Sequence, residues 1–265
     1  LACERARFAR AAEDGAAKIS LKMEIKIKTG EELTKLLDAL AKEIVFAHIY
    51  YRLLCDLSKA RATHEREFSN FNTFWSLTLG SLRTAYQTHL CRVCDQESTS
   101  LNLVNLLHTI QSNLHFFSES NFRERLKGNA FVDFLAKTKR ASEKDEVESD
   151  MKLVACENQI VKKLIIWRNN IVAHRGAKIA LGKDQALSDN PISDVEIKEL
   201  LEQSLSIFNK YSSFYNASTQ SSGIIGHDDY EQLLKFIGLG LKRWEEDIEK
   251  QYEALGIQIK KAEKF

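Results

Sequence analysis

The 265 residues are 44% apolar and 28% charged with a net charge of +1, the composition of an ordinary globular chain with enough apolar residues for a sizeable core. That balance excludes a protein that binds polyanions by its overall charge, so any nucleic-acid binding has to come from a local basic patch. No apolar run nears the ~20 residues that cross a bilayer, nothing resembles a secretory signal, and five cysteines, an odd number, suit free thiols in a reducing compartment; a cytoplasmic location without membrane partners is expected.

The chain opens at Leu1, and Met23 is the expected native start; residues 1–28 form an N-terminal extension. Within it "ISLKMEIKIK", 19–28, alternates apolar and polar residues at the strand period. A lone strand is unstable, which leaves pairing with a second copy, disorder, or absorption into a helix start as its three readings. One proline in the chain, Pro191, speaks for long helices, and helix-period patterns fill most of the remaining chain.

"TGEE" at Thr29–Glu32 has capping-box spacing, and Leu33, Leu36, Leu37, Leu40 and Ile44 then share a face. A second helical segment spans about 65–94 with Phe68, Phe71, Trp75, Leu79, Leu82 and Leu90, and "DQESTSLN" breaks it. Ser100 is the expected cap of the next helix, which carries Leu103, Leu106, Leu107 and Ile110. Segments near 118–127 and 129–139 flank Gly128, and a charged stretch, "SEKDEVESD", leads into one long helix ending at "IVAHRG". Residues 177–192 read as a loop. "SDVE" at Ser193–Glu196 opens a helix to about Tyr215, and "DDYE" at Asp228–Glu231 opens the last, with Leu233, Leu234, Ile237, Leu241, Trp244 and Ile248 inward. The expected fold is all-α, a compact bundle of about six or seven helices forming a single domain over 29–255, with a tail at 256–265.

Two stretches could carry chemistry. "HLCRVCD" brings His89, Cys91 and Cys94 together, with His108 further on. Two thiolates and two imidazoles could hold zinc for a regulatory role. No second Cys-x-x-Cys pair is present, and the inward face shared by Leu90 and Cys94 reads better as core. Phosphate-cradling glycine loops, "HExxH" and Ser-His-Asp arrangements do not occur, and no cofactor or metal is implied.

The other stretch is "WRNNIVAHRG", 167–176. An apolar helix end needs Trp167, Ile171 and Val172; it does not need Arg168 or His174. At about 100° per residue, Trp167, Asn170, Ile171 and His174 share one side, and Arg168 lies about 120° from His174. The same helix entering from two subunits would bring such groups together more easily. From Asn158 to Lys183 there is no acidic residue, while Lys162, Lys163, Arg168, Arg175, Lys178 and Lys183 are all basic. That local field suits a phosphodiester backbone. An imidazole of pKa ~6.5 can exchange protons with a 2′-hydroxyl or a leaving oxygen. Arginine can stabilise charge developing on the phosphate, and Asn169 can orient either group. This would be metal-independent RNA cleavage with the 2′-hydroxyl as nucleophile. The plainer reading is a helix end, with His174 and Arg175 beside the C-terminal dipole.

"RNNIVAH", an arginine, a polar residue and a histidine late in a helix, resembles the motif of the HEPN superfamily. The surrounding stretches "FWSLTLGSLRTAYQTHLCRVCDQESTSLNLVNLL", "SDVEIKELLEQSLSIFNKY" and "DDYEQLLKFI" resemble its AbiU-like abortive-infection branch over about 30–255. The resemblance implies an all-α homodimer whose two Arg/His motifs line a shared cleft. It also implies ribonuclease activity in phage defence or toxin biology, with a cognate antitoxin as a further class of partner. Arg168 would bind phosphate and stabilise the transition state, and His174 would act as acid, base or activator of the 2′-hydroxyl. Asn169 would be the polar companion, and Lys162, Lys163, Asn170, Arg175 and Lys178 would contact the RNA. The alternative is a non-catalytic helical module that binds RNA, a nucleotide or a partner protein.

Overall fold

The computed structural model describes residues 24–138, 142–172, 177–182, 185–223 and 226–256, without the side chains of Lys178 and Ile179. Every regular element among them is helical. The predicted strand is absent from 24–28, where the Ile25 amide instead donates to Thr109 Oγ1 at 2.9 Å; residues 19–23 lie outside the described residues. The elements divide between two compact units, residues 1–45 with 88–220 and residues 46–87 with 221–265.

The first unit takes its start from α1 (Gly30–Thr63), which supplies residues up to Val45. The Thr29 box forms as expected: the Glu32 amide donates to Thr29 Oγ1 and the Thr29 amide to Glu32 Oε2, each at 3.2 Å. Leu33, Leu37, Leu40 and Ile44 are buried on the expected face, with Leu36 half-buried beside them. Next come α2 (Glu65–Asn70) and α3 (Asn72–Val93). The sequence predicts one helix over 65–94, but Phe71, at φ −123° and ψ 38°, leaves helical geometry and divides it. Asn102, not Ser100, caps α4 (Leu103–Ser112), its side chain accepting from the Asn105 amide at 2.8 Å. Ser100 is engaged elsewhere.

A 3₁₀ turn (Leu114–Phe117), α5 (Glu119–Arg125) and α6 (Val132–Leu135) come next. The turn between α5 and α6 contains Gly128 at φ +92°, a conformation that favours glycine. The predicted long helix before the motif is two: α7 (Lys144–Val154) and α8 (Gln159–Trp167). Asn158 makes the break. Its Oδ1 accepts from the Ile160 amide at 2.8 Å while its Nδ2 donates to the Leu153 carbonyl at 2.7 Å, satisfying both helix ends at once. The 177–192 stretch holds two single-turn helices, α9 (Ala177–Ala180) and α10 (Ala186–Asp189).

α11 (Asp194–Asn216) is the axis of this unit, touching α5, the 3₁₀ turn, α7 and α8. Ile197, Leu200, Leu201, Ile207, Phe208, Tyr211 and Tyr215 recur at helical spacing and are all buried; a fully buried side chain of this size stabilises by ~1.5–3 kcal/mol. At its far end the Tyr215 hydroxyl donates to the Gly30 carbonyl at 2.6 Å. The Arg125 guanidinium lies 3.7 Å over the Tyr215 ring and donates to the Tyr215 and Phe116 carbonyls. These contacts fasten the start of α1 to the end of α11.

The second unit contains the later part of α1, α2, most of α3 and α12 (Asp229–Ala254). Phe68 stacks on Trp75 at 4.5 Å in its small core. An apolar cavity of about 390 Å³, walled by Leu53, Leu57, Phe74, Trp75 and Leu233, contains none of the candidate residues. Two expectations for α12 are corrected. Asp228, at φ −103° and ψ 2°, makes no side-chain cap. Of the residues expected inward only Leu234 is buried, while Ile237, Leu241 and Ile248 are half-buried and Leu233 and Trp244 are 47% and 61% exposed. Six-residue α2 packs against this helix and covers little of its length.

Ser193 caps the start of α11 through a complete capping box with Glu196. Ser193→Ala should therefore lower the unfolding free energy by about 1 kcal/mol, measured by urea denaturation; an unchanged midpoint would mean the box contributes nothing.

Candidate anion site at the end of α8

α8 does not fray into solvent after Trp167. Its next five residues, Arg168–Val172, widen into a π-turn, a geometry found mostly as single turns and frequently at functional sites. The widening accompanies what the residues hold. Asn170 Nδ2 donates back to the Ile166 carbonyl at 2.8 Å, and Arg168 turns toward the loop after α3. There Arg168 Nη1 donates to Asp95 Oδ1, while Arg168 Nε donates to Asn169 Oδ1 at 3.0 Å. The arginine side chain is 29% exposed and that of Asp95 18%.

Asp95 is held as firmly as it holds. Its Oδ1 also accepts from the Gln96 and Glu97 amides at 2.8 and 3.2 Å, and its Oδ2 accepts from Ser100 Oγ at 3.1 Å. The loop around it is tied from below. Asn105 Nδ2 donates to the Glu97 and Ser100 carbonyls, and Gln96 Nε2 reaches the Val154 carbonyl at the end of α7 at 3.2 Å. Asn102 and Asn105 are fully buried, so their amides act as internal struts for an otherwise irregular segment.

The expected set separates under this geometry. Arg168 and Asn169 are brought together. Lys162 is exposed. Lys163 is committed to structure, its Nζ 2.6 Å from Glu196 Oε1 in the capping box of α11. Asn170 is half-buried and bonded to its own helix. His174 and Arg175 lie outside the described residues, as does the side chain of Lys178. The uniformly basic field expected over 158–183 is therefore reduced at two of its cations, because Asp95 and Glu196 arrive from distant parts of the chain. Asp95 is the site residue that spacing did not reveal. Its only local sign is an aspartate directly after Cys94, where a helix ends.

Cys91 and Cys94 are 5% and 1% exposed. Burial pushes both thiols up to about 12; Arg168 pulls Cys91 down less strongly, and Ser204 does the same for Cys94. His89 Nδ1 lies 2.7 Å from Glu43 Oε2, and burial lowers the pKa of His108. No group of three or more His, Cys, Asp or Glu side chains among the described residues is arranged to hold a metal ion. The pair packs as core residues.

Lys163, followed by the Ser193 backbone amide, pulls the Glu196 carboxyl down from 4.5 to about 2. The folded chain thus binds this proton less readily than the unfolded chain. The stability this supplies is complete above about pH 4.5 and is lost as pH falls toward 2. Melting temperatures of wild type and Glu196→Gln should differ most at neutral pH and converge across that window. A gap that stays constant down to about pH 2.5 would exclude the pairing.

No helix among the described residues is long and apolar enough to cross a membrane. No curated protein and no solved structure matches the chain. A family model does: HEPN_AbiU2, described as AbiU2, matches residues 30–236, from the first residue of α1 into α12 and across the whole Arg168–His174 motif. With an all-helical fold and a match over most of its length, the chain belongs to the AbiU2 family of HEPN proteins.

Proposed function

We propose that the chain is a metal-independent endoribonuclease of HEPN type, acting in phage defence by abortive infection or as the toxin of a toxin–antitoxin pair. The observation that carries this reading is the guanidinium of Arg168, held by one carboxylate and one carboxamide at a π-turn and followed six positions later by His174. In the reaction the 2′-oxygen bonds to phosphorus as the bond from phosphorus to the 5′-oxygen breaks. The products are a 2′,3′-cyclic phosphate and a 5′-hydroxyl. A base takes the 2′-hydroxyl proton and an acid returns one to the leaving oxygen; His174 serves in this exchange. Arg168 binds the non-bridging oxygens and stabilises the charge that grows on them. Two motifs in one dimer cleft would supply a second imidazole, so that one protomer's histidine acts as base and its partner's as acid. Lys162 and Arg175 extend phosphate binding along the strand.

A second reading is a non-catalytic module that binds RNA, a nucleotide or a partner protein through the same surface; the pairing of Arg168 with Asp95 and of Lys163 with Glu196 weakens the local positive field and so favours the protein partner among these. Incubation with diverse RNAs in excess EDTA separates the two. The enzyme yields cyclic-phosphate ends, and Arg168→Ala and His174→Ala each lower the rate by roughly 10²-fold or more. Intact RNA with well-folded protein leaves the binding module, and undiminished cleavage by both variants removes Arg168 and His174 as the source of the activity. The composite cleft has its own check. Light scattering should give twice the chain mass at assay concentrations, and a monomer that still cleaves RNA would remove the second histidine from the mechanism.

A further inference from the structure

We propose that Asp95 is the positioning residue for Arg168, fixing the guanidinium so that its remaining donors face the scissile phosphate; this rests on the ribonuclease reading. An arginine side chain has five N–H donors. Asp95 and Asn169 each take one, at Nη1 and Nε, and Nη2 has no partner among the described residues. The side chain is 29% exposed, and the N–H groups not taken by Asp95 and Asn169 are left to donate to the oxygens of a phosphate.

The alternative role for such a carboxylate is a latch that blocks the arginine until a ligand displaces it. The loop argues against this. Asp95 accepts from the Gln96 and Glu97 backbone amides and from Ser100 Oγ besides Arg168, and the loop is anchored by Asn102, Asn105 and the Gln96 bond to Val154. A latch has to swing; this group would have to break its own turn to do so. A phosphate can instead bind beside the carboxylate, through N–H groups that Asp95 does not use. The near-neutral Arg–Asp pair then contributes direction more than field. An unheld arginine samples many rotamers, and a misplacement of about 1 Å at a reacting centre can cost about 10²-fold in rate.

The test uses the full chain, a fluorescent single-stranded RNA in EDTA, and the same oligonucleotide with 2′-deoxyribose for binding alone. Asp95→Ala should lower kcat by about tenfold or more, with affinity for the uncleavable strand unchanged or several-fold tighter because an anion has gone. Asp95→Asn, which still accepts from Nη1 and from the turn amides, should recover most of kcat. Circular dichroism melts accompany each variant. Should Asp95→Ala fail to fold, Asp95→Ser decides, since its hydroxyl can still accept from the turn amides but is too short to reach Nη1: a loss of about tenfold or more in kcat with unchanged or tighter binding keeps the assignment, and wild-type kcat ends it. A folded Asp95→Ala with kcat equal to or above wild type, while Arg168→Ala is inactive, overturns the positioning role and leaves the ribonuclease standing. Equal loss of kcat and of binding overturns it too. Cleavage by no form of the protein, or undiminished cleavage by Arg168→Ala, takes the ribonuclease reading down and this assignment with it.

Discussion

The ion pair between Arg168 and Asp95 is the constraint on which the candidate site depends. It joins residues 73 positions apart, and it does so between two irregular segments, the π-turn after α8 and the capped loop after α3. The turn keeps helical backbone bonding in a widened form, with Asn170 bonded back onto it, whereas the loop has no regular ladder and is satisfied by Asn102, Asn105 and Gln96. Buried amides in such a place rigidify only when their bonds are made. The loop carries most of these bonds, and the arginine inherits its orientation from it.

What surrounds the pair explains how the loop stays put. α11 touches both α7 and α8, and α4 packs on α7, so the carbonyl of Val154 that receives Gln96 sits at the end of a helix pinned from two sides. Lys163 reaches from α8 to Glu196 at the start of α11. A cation that in sequence looks ready for RNA here sets the register of two helices, and the capping carboxylate serves both the lysine and the helix start.

Much of the fold is legible from local patterns because its causes are local. The boxes at Thr29 and Ser193 follow from spacing, as does the buried face through Leu33, Leu37, Leu40 and Ile44. The breaks at Phe71 and Asn158 are not legible in the same way: both stretches keep helical periodicity, and at Asn158 a single side chain that can serve two helix ends interrupts it. α12 fails for a different reason. Periodicity identifies an apolar stripe but not whether anything lies over it, and here Leu233 and Trp244 stay exposed. At the site, the motif names Arg168 and Asn169, whose neighbourhood is one turn wide. It cannot name Asp95, because a count of acidic residues within 158–183 says nothing about what the fold delivers from residue 95.

The burial of Cys91 has a further consequence for the arginine. A thiol whose pKa stands at about 12 is uncharged at any cellular pH, so this neighbour of Arg168 adds no anion to oppose a phosphate. Sulfur chemistry could change that, since oxidation to a sulfinate or sulfonate would install a permanent negative charge there. Oxidants attack thiolates that they can reach, and Cys91 is neither a thiolate nor in reach. Sequestration of this sulfur thus also insulates the electrostatics of the site from oxidative stress.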